Sequence, residues 1–244
     1  MSRPETTSGP EDEGTRIRIA EIFCSIQGEG RLIGVPSVFV RTSGCNLRCW
    51  WCDTPYTSWS PTGEQLAIPE IAARVAAYPA ARHVVLTGGE PMIAPGVAAL
   101  TRRLREGGRH LTIETAGTVY APVAVDLFSI SPKLANSTPG LDAGRWRERH
   151  ETARLNLPVL RTMMQAADYQ LKFVVGEPAD LPEIDALVEA LAPDQPSKVL
   201  LMAQSRTVAE LDRIAPWLAE ACKERGYVYC DRLHLRLYGN RPGT

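Results

Sequence analysis

The chain has 244 residues, of which 44% are hydrophobic and 23% are charged, and its formal net charge is −1. This balance is typical of a globular chain and lacks the excess of basic residues that favours binding to nucleic acid or anionic lipid. No apolar run approaches the roughly 20 residues that a membrane-spanning helix needs. We therefore expect a cytoplasmic protein with no nucleic-acid partner and no membrane contact.

The first 14 residues differ in composition from the rest of the chain. Residues 1–14 are rich in Pro, Gly, Glu, Ser and Thr and contain no apolar core. This composition is typical of a disordered tail and not of a secretory signal peptide. Residues 15–244 are enough to bury one hydrophobic core. We therefore expect an N-terminal tail, 1–14, followed by a single domain, 15–244.

Segments that favour strands alternate with segments that favour helices. The predicted strands are 17–23, 35–41, 83–87, 111–115, 125–130, 169–175, 199–202 and 234–238, and the predicted helices are 69–78, 97–106, 181–192 and 207–225. Between them, the polar segment 136–158 is predicted to be an irregular insertion or a short helix. This alternation predicts an α/β fold with a parallel sheet, with fewer strand–helix repeats than the eight of a closed barrel.

Three cysteines, Cys45, Cys49 and Cys52, lie within eight residues. They are too close together for an ordinary disulfide framework, which favours ligation of a metal or cluster. A [4Fe–4S] cluster held by three thiolates keeps one iron open for a small molecule. A structural zinc site is the alternative, but it normally needs four Cys or His at paired spacings. No His lies near the motif and no second CxxC follows it.

The other cysteines and two histidines carry no such pattern. Cys24, Cys222 and Cys230 are isolated in the sequence, and each is predicted to be a small buried apolar residue. His83 and His110 lie on or beside predicted strands, where we expect them to have structural roles.

A second motif, Gly88-Gly89-Glu90-Pro91, follows the predicted strand 83–87. Two glycines let the backbone approach a ligand closely, and a carboxylate at this position could bind an ammonium group. An ordinary glycine turn is the alternative. Ligands bind at the carboxyl ends of strands in α/β folds. Because this motif ends the next strand after the cysteine loop, its position favours a ligand-binding site.

The CxxxCxxC spacing followed by Gly-Gly-Glu resembles the signature of radical S-adenosylmethionine enzymes. This resemblance implies a partial (incomplete) parallel β/α barrel. In that family the open iron binds the amino and carboxylate groups of the methionine moiety, and reduction yields a 5′-deoxyadenosyl radical. The protein positions the cofactor, and the cofactor supplies the difficult chemistry.

A narrower resemblance is to the 7-carboxy-7-deazaguanine synthases. It implies ring contraction of 6-carboxy-5,6,7,8-tetrahydropterin with loss of ammonia and regeneration of S-adenosylmethionine, in queuosine or other deazapurine biosynthesis. It also implies a [4Fe–4S] cluster, Mg²⁺, a homodimer, and an electron donor such as flavodoxin or ferredoxin. The segments that carry the resemblance are 21–30, 38–41, 44–47, 51–54, 114–118, 131–133 and 172–175, together with His234.

The same resemblance assigns the site residues. Cluster ligands are Cys45, Cys49 and Cys52; the S-adenosylmethionine site is Trp51, Gly88, Gly89, Glu90, Glu114, Ser131 and Lys133; the pterin site is Gln27, Glu29, Arg41, Thr87 and His234; and the Mg²⁺ ligand is Thr54. The amide of Gln27 and the carboxylate of Glu29 match the donors and acceptors of a pterin edge. Arg41 suits a carboxylate through two parallel hydrogen bonds.

One departure from the family pattern and two rival functions stay open. Leu235 follows His234 where a lysine is often seen in the family, which leaves contacts near the C-terminus open. One rival is an activating enzyme that generates a glycyl radical on a partner protein, which would need a docking groove. The other is a cluster-bearing sensor or scaffold, which would hold iron without cleaving S-adenosylmethionine.

Overall fold

The computed structural model describes residues 14–244, so the predicted tail lies outside the described residues except for Gly14. Within this range the chain forms one nine-stranded sheet. The strands are β1 (Arg16–Ile26), β2 (Pro36–Thr42), β3 (Glu64–Ala67), β4 (His83–Gly88), β5 (His110–Thr115), β6 (Leu127–Ile130), β7 (Asp168–Val175), β8 (Val199–Ala203) and β9 (Val228–Cys230).

Helices connect most of the parallel strands. They are α1 (Pro55–Ser58), α2 (Ile68–Ala76), α3 (Val97–Arg105), α4 (Arg145–Ala153), α5 (Leu157–Ala166), α6 (Leu181–Leu191), α7 (Val208–Arg225) and α8 (Leu233–Tyr238). Across residues 14–244, no helix combines the length and apolarity that a membrane crossing requires.

The sheet order is β3-β1-β2-β4-β5-β6-β7-β8-β9. From β2 to β9 all neighbours are parallel, whereas β1 is antiparallel to both β2 and β3. The link between β1 and β2 is too short for the crossover that a parallel pair needs, which explains their antiparallel pairing. The sheet ends at β3 and β9 without closing, so the predicted partial β/α barrel is confirmed.

The main core lies between the sheet and its outer helices. Fully buried side chains on successive strands include Leu86, Ile113, Phe128 and Phe173. On the face toward the helices these strands present apolar side chains, which form this core. On the inner face the apolar clusters are small, and polar side chains fill the space between them.

The end of the chain departs from the prediction. Residues 234–238 were predicted to form a strand, but they belong to α8, and β9 takes the edge of the sheet instead. Leu235 is buried whereas Leu237 is 51% exposed, so the alternating leucines do not share one buried face. The short strands β3 and β9 were not predicted at all.

The segment 136–158 is more ordered than predicted. It contains two short 3₁₀ turns, all of α4 and the first residues of α5. The start of α5 has a local signal, because the Asn156 side chain accepts a hydrogen bond from the Val159 backbone N–H over 3.3 Å. Pro158 is also compatible with the first turn of that helix.

Candidate active site

A cavity of about 450 Å³ opens at the carboxyl ends of the parallel strands. Its lining combines segments that are far apart in the sequence, including the loop after β1, the cysteine loop after β2 and the glycine turn after β4. Of the predicted site residues, those that line it are Gln27, Glu29, Arg41, Cys45, Cys49, Trp51, Cys52, Thr54, Thr87, Gly88, Gly89, Glu114, Ser131, Lys133 and His234.

The cysteine loop forms one wall of the cavity. Cys45, Cys49 and Cys52 pack with Leu47 and Ala116 in a small cluster. Burial raises the pKa of the Cys45 thiol to about 12 and that of the Cys49 thiol to about 11. Ligation by a metal centre would reverse this, because thiolates and not thiols are the ligands.

The cysteine arrangement fits a cluster better than a single ion. In residues 14–244, no three His, Cys, Asp or Glu side chains converge closely enough to hold one metal ion. A cubane spreads its ligating sulfurs over different irons, so it needs a wider arrangement than zinc. The three thiols line the cavity together, and their number and chemistry fit the predicted [4Fe–4S] cluster.

The segment 136–158 supports the cysteine loop from outside. The fully buried His150 accepts a hydrogen bond at Nδ1 from the Arg48 backbone N–H over 3.1 Å. The Arg48 guanidinium lies 3.8 Å from the ring centre of Trp146 and donates to the carbonyl oxygen of Cys45 over 2.8 Å. Sequence reasoning found no histidine near the cysteine motif, because this contact joins residues 102 positions apart.

The glycine turn packs directly against the cysteine loop. Gly88 has φ of 139°, and Gly89 lies so close to Gly44 and Thr57 that a Cβ would collide with both carbonyl oxygens. Only glycine permits this approach. The turn therefore presents its backbone, beside the three cysteines, to whatever occupies the cavity.

Glu90 does not line the cavity with its neighbours Gly88 and Gly89. It is 1% exposed, and burial raises its pKa. Its carboxylate accepts hydrogen bonds from Met92 N (3.1 Å), Thr115 Oγ1 (2.7 Å) and Ala116 N (2.8 Å). These contacts hold the glycine turn against β5, and the direct ammonium contact that the sequence motif implied for this carboxylate stays a prediction.

Glu114 connects two predicted pterin-site residues. Its carboxylate accepts hydrogen bonds from the Gln27 amide over 3.1 Å and from the Thr87 hydroxyl over 2.9 Å. The Gln27 amide oxygen accepts from the Glu29 backbone N–H over 3.1 Å. Gln27 is 4% exposed, so its amide is largely used within the protein and is held in one orientation.

Glu29 lies at the centre of a charged network. It pairs with Lys172, which donates to Oε2, and with Arg232, whose Nε donates to Oε1 over 3.0 Å. Burial raises the pKa of the Glu29 carboxyl, but Lys172 and Arg232 outweigh it and hold that pKa well below its usual range. Glu29 is therefore a carboxylate acceptor at neutral pH. Sequence reasoning gave no role to Lys172 or Arg232.

Arg41, on β2, also lines the cavity. Its Nε donates to Glu21 Oε1 over 2.6 Å, and the Tyr56 hydroxyl donates to the same oxygen over 2.7 Å. Among residues 14–244, the two terminal guanidinium nitrogens of Arg41 have no hydrogen-bond partner. Beneath Arg41, the stacked rings of Phe23 and Phe39, with centroids 5.1 Å apart, give this part of the cavity an apolar floor.

The remaining predicted residues form a polar rim. Lys133 Nζ donates to Ser131 O over 2.7 Å and to Ser131 Oγ over 2.8 Å, and it lies 6.0 Å from the ring centre of Trp51. The Thr54 hydroxyl accepts from Thr57 Oγ1 over 3.4 Å and lies 3.8 Å from Cys52 Sγ. Both Lys133 and Thr54 line the cavity, so each is placed to meet a ligand.

His234 enters the cavity from α8. Its ring packs so closely on Gly28 that a Cβ there would collide with it, and Nε2 lies 3.9 Å from Glu29 Oε1. Burial lowers the pKa of this imidazole, so it is neutral at pH 7.

Of the remaining cysteines, Cys222 and Cys230 are buried as predicted. Cys24 is exposed, which corrects the prediction that it is a buried residue. The predicted structural role of His83 agrees with its burial and with its contacts to Ser37 Oγ at 2.7 Å and Thr112 Oγ1 at 2.9 Å.

Comparison with known proteins gives consistent matches. The Radical SAM superfamily model matches residues 39–163. The chain is 48% identical to the 7-carboxy-7-deazaguanine synthase of Rhodopirellula baltica, over 98% of this chain and 93% of that protein. It is 44% identical to the synthase of the same name from Halobacterium salinarum, over 95% of this chain and 94% of that protein.

Solved structures agree on the fold. The crystal structure of QueE from Escherichia coli matches with a TM-score of 0.71 and 27% identity, over 92% of this chain and 97% of that chain. Streptococcus suis SuiB bound to its precursor peptide SuiA matches with a TM-score of 0.54 and 11% identity, over 78% of this chain and 47% of that chain. The second likeness shows the fold alone.

Proposed function

Because this chain belongs to the 7-carboxy-7-deazaguanine synthase family of the radical S-adenosylmethionine superfamily, we propose that it contracts the ring of 6-carboxy-5,6,7,8-tetrahydropterin. The products would be 7-carboxy-7-deazaguanine and ammonia. Substrate and product differ by one ammonia, so the reaction needs no net oxidant. This balance explains how S-adenosylmethionine could be regenerated in each turnover.

One observation carries the proposal. The three cysteines, the glycine turn and the pterin-site residues Glu29 and Arg41 all line the same cavity. Its volume of about 450 Å³ falls within the range of roughly 300–1,000 Å³ typical of small-molecule sites. A bicyclic substrate could therefore lie beside the cofactor, with its polar edge near Glu29 and its carboxylate near Arg41.

Cys45, Cys49 and Cys52 would hold the [4Fe–4S] cluster, and the backbone of Gly88 and Gly89 would hold the methionine ammonium. When bound, the cluster and S-adenosylmethionine supply a carbon radical that can abstract hydrogen from the substrate. Trp51, Glu114, Ser131 and Lys133 would complete the S-adenosylmethionine site, with the Lys133 ammonium and the Ser131 hydroxyl suited to the methionine carboxylate.

The substrate would be oriented by charge. The Arg41 terminal nitrogens would bind its carboxylate in two parallel hydrogen bonds, while Glu21 holds the guanidinium in position. The ionised Glu29 would accept hydrogen bonds from the pterin's amino and ring N–H groups. Thr87 and His234 would contact the same ring system, and Gln27 would act mainly by fixing the loop.

Further components of the proposal come from the family. The Thr54 hydroxyl would bind Mg²⁺, which commonly keeps water and substrate oxygens among its ligands. A homodimer, a cytoplasmic location and reduction by flavodoxin or ferredoxin stay predictions. The charged residues that line the cavity suit a small polar substrate, whereas the glycyl-radical alternative would need a groove for a polypeptide.

The test is an anaerobic assay with mass spectrometry. The reconstituted, reduced enzyme would be incubated with S-adenosylmethionine, Mg²⁺ and 6-carboxytetrahydropterin, and in parallel with a glycine-containing peptide. We expect 7-carboxy-7-deazaguanine from the pterin and no modification of the peptide. Cleavage of S-adenosylmethionine with no deazaguanine would contradict the assigned substrate.

A further inference from the structure

The segment 230–234, which runs from the last residue of β9 into the first turn of α8, holds the loop that carries Glu29. Gly30 N donates to Cys230 Sγ over 3.1 Å, and Leu233 N donates to Gly28 O over 2.9 Å. Between these two contacts, Arg232 binds the Glu29 carboxylate. Three consecutive loop residues are thus held by one short segment about 200 positions away in the chain.

Arg232 uses its whole guanidinium group. Nε donates to Glu29 Oε1 over 3.0 Å, Nη2 donates to Asp53 Oδ2 over 2.5 Å, and Nη1 donates to the Ser205 carbonyl oxygen. Its side chain is only 7% exposed. A planar fork with each nitrogen engaged has a single orientation, so Arg232 holds its partners at fixed relative positions.

The two carboxylates come from different segments of the chain. Glu29 lies on the loop after β1, whereas Asp53 directly follows the cluster residue Cys52. Arg232 therefore connects the proposed pterin acceptor to the cluster loop. Lys172 completes the group, in which two cations balance two anions. Lys172, Arg232 and Glu29 are largely buried, whereas the Asp53 side chain is 39% exposed, so the buried charges are paired.

We propose that Arg232 is a positioning residue for substrate recognition: it fixes the Glu29 carboxylate relative to the cluster loop, so that a bound pterin meets the cofactor in one pose. This inference rests on the proposed function. It assigns to Arg232 no contact with the substrate and no proton transfer. Lysine cannot replace it, because a single ammonium lacks the fork that binds both carboxylates.

The test uses the unreduced holoenzyme, which binds ligands without turnover. Affinities for 6-carboxytetrahydropterin and S-adenosylmethionine would be measured for the wild type, for Arg232→Lys and for Arg236→Lys. Arg236 is a matched control, because it also binds two carboxylates, Asp231 and Asp212, each over 2.8 Å. It lies outside the cavity lining.

We expect Arg232→Lys to weaken pterin binding by about ten-fold or more, the scale of a lost hydrogen bond between charged groups. The affinity for S-adenosylmethionine and the cluster content should both stay within about two-fold of the wild-type values. Arg236→Lys should change neither affinity. In turnover, Arg232→Lys should raise KM for the pterin far more than it lowers kcat at saturation.

A second variant pair separates positioning from a general effect on folding. If Arg232 acts through Glu29, Arg232→Lys should cost little further pterin affinity in a Glu29→Gln background. The proposal would be overturned if the losses of pterin affinity in the two single variants added fully in the double variant. It would also be overturned if Arg232→Lys left pterin affinity unchanged, or if it reduced pterin affinity, S-adenosylmethionine affinity and cluster content equally. A wild-type enzyme that does not bind the pterin would instead refute the proposed function.

Discussion

The imidazole of His150 accepts a hydrogen bond from the backbone N–H of Arg48, inside the cysteine loop, over 3.1 Å. Its other nitrogen contacts Ser137 Oγ over 2.9 Å. Burial lowers the pKa of His150 to about 4, so the ring is neutral and can accept at Nδ1. The helix α4 is thereby tied to the loop that would carry the cluster.

Replacing His150 should therefore loosen the cysteine loop. His150→Phe keeps a ring but leaves the buried Arg48 N–H without an acceptor, which costs about 1–3 kcal/mol. We expect faster loss of iron to a chelator than in the wild type. His110→Phe is the control, since the exposed His110 begins β5, at the amino ends of the parallel strands and away from the cavity at their carboxyl ends. Equal rates of iron loss in His150→Phe and wild type would refute this anchoring role.

The Glu90→Gln variant distinguishes a structural role of the Glu90 carboxylate from direct binding of the methionine ammonium. The side-chain NH₂ of glutamine would face N–H donors at Met92 or Ala116, so the apo protein should lose about 1–3 kcal/mol of unfolding free energy. Urea unfolding of the apo protein measures this. Unchanged apo stability with weakened S-adenosylmethionine binding would instead show that the carboxylate binds the ammonium directly.

The cluster assignment predicts a contrast between two cysteine variants. Cys49→Ala should abolish the visible absorption and most of the iron of the reconstituted protein, because one of the three proposed thiolate ligands is removed. Cys24→Ala should leave both unchanged, since Cys24 lies on β1 outside the cavity lining. Full iron content in Cys49→Ala would remove this residue from the ligand set.

His83 predicts a specific pH dependence of stability. Burial, with a smaller contribution from His110, lowers its pKa from 6.5 to about 4. The folded protein then binds fewer protons than the unfolded chain between these values, so stability is complete above pH 6.5 and falls as the pH drops toward 4. Between pH 7.5 and pH 5 the expected loss of stability is about 2 kcal/mol.

His83→Gln should reduce this pH dependence when urea unfolding of the apo protein is compared at pH 7.5 and pH 5. His150 and His234 also have lowered pKa values, so part of the slope should remain in the variant. If the unfolding free energy changes equally with pH in wild type and variant, His83 does not contribute to the pH dependence of stability.

Local motifs could be predicted from the sequence because their chemistry depends on close spacing. Cys45, Cys49 and Cys52 are neighbours, and Gly88 and Gly89 directly follow a strand, so their common cavity follows from the parallel sheet. The helix α7 was predicted almost to the residue, because Thr207 and Glu210 cap its start and Gly226 ends it.

Long-range pairs could not be predicted. Lys172 and Arg232 meet Glu29 across 143 and 203 positions, and no local pattern marks a lysine or an arginine as a partner of one particular carboxylate. The final strand was predicted wrongly for a related reason. Alternating leucines at 235 and 237 fit a strand period, but tertiary packing buries only Leu235.

The most direct test of the central claim is a count of 7-carboxy-7-deazaguanine molecules formed per S-adenosylmethionine consumed by the reduced enzyme. The account predicts that product greatly exceeds cofactor consumption, because substrate and product differ only by ammonia and the cofactor is regenerated. One 5′-deoxyadenosine per S-adenosylmethionine consumed, with no deazaguanine formed, would contradict it.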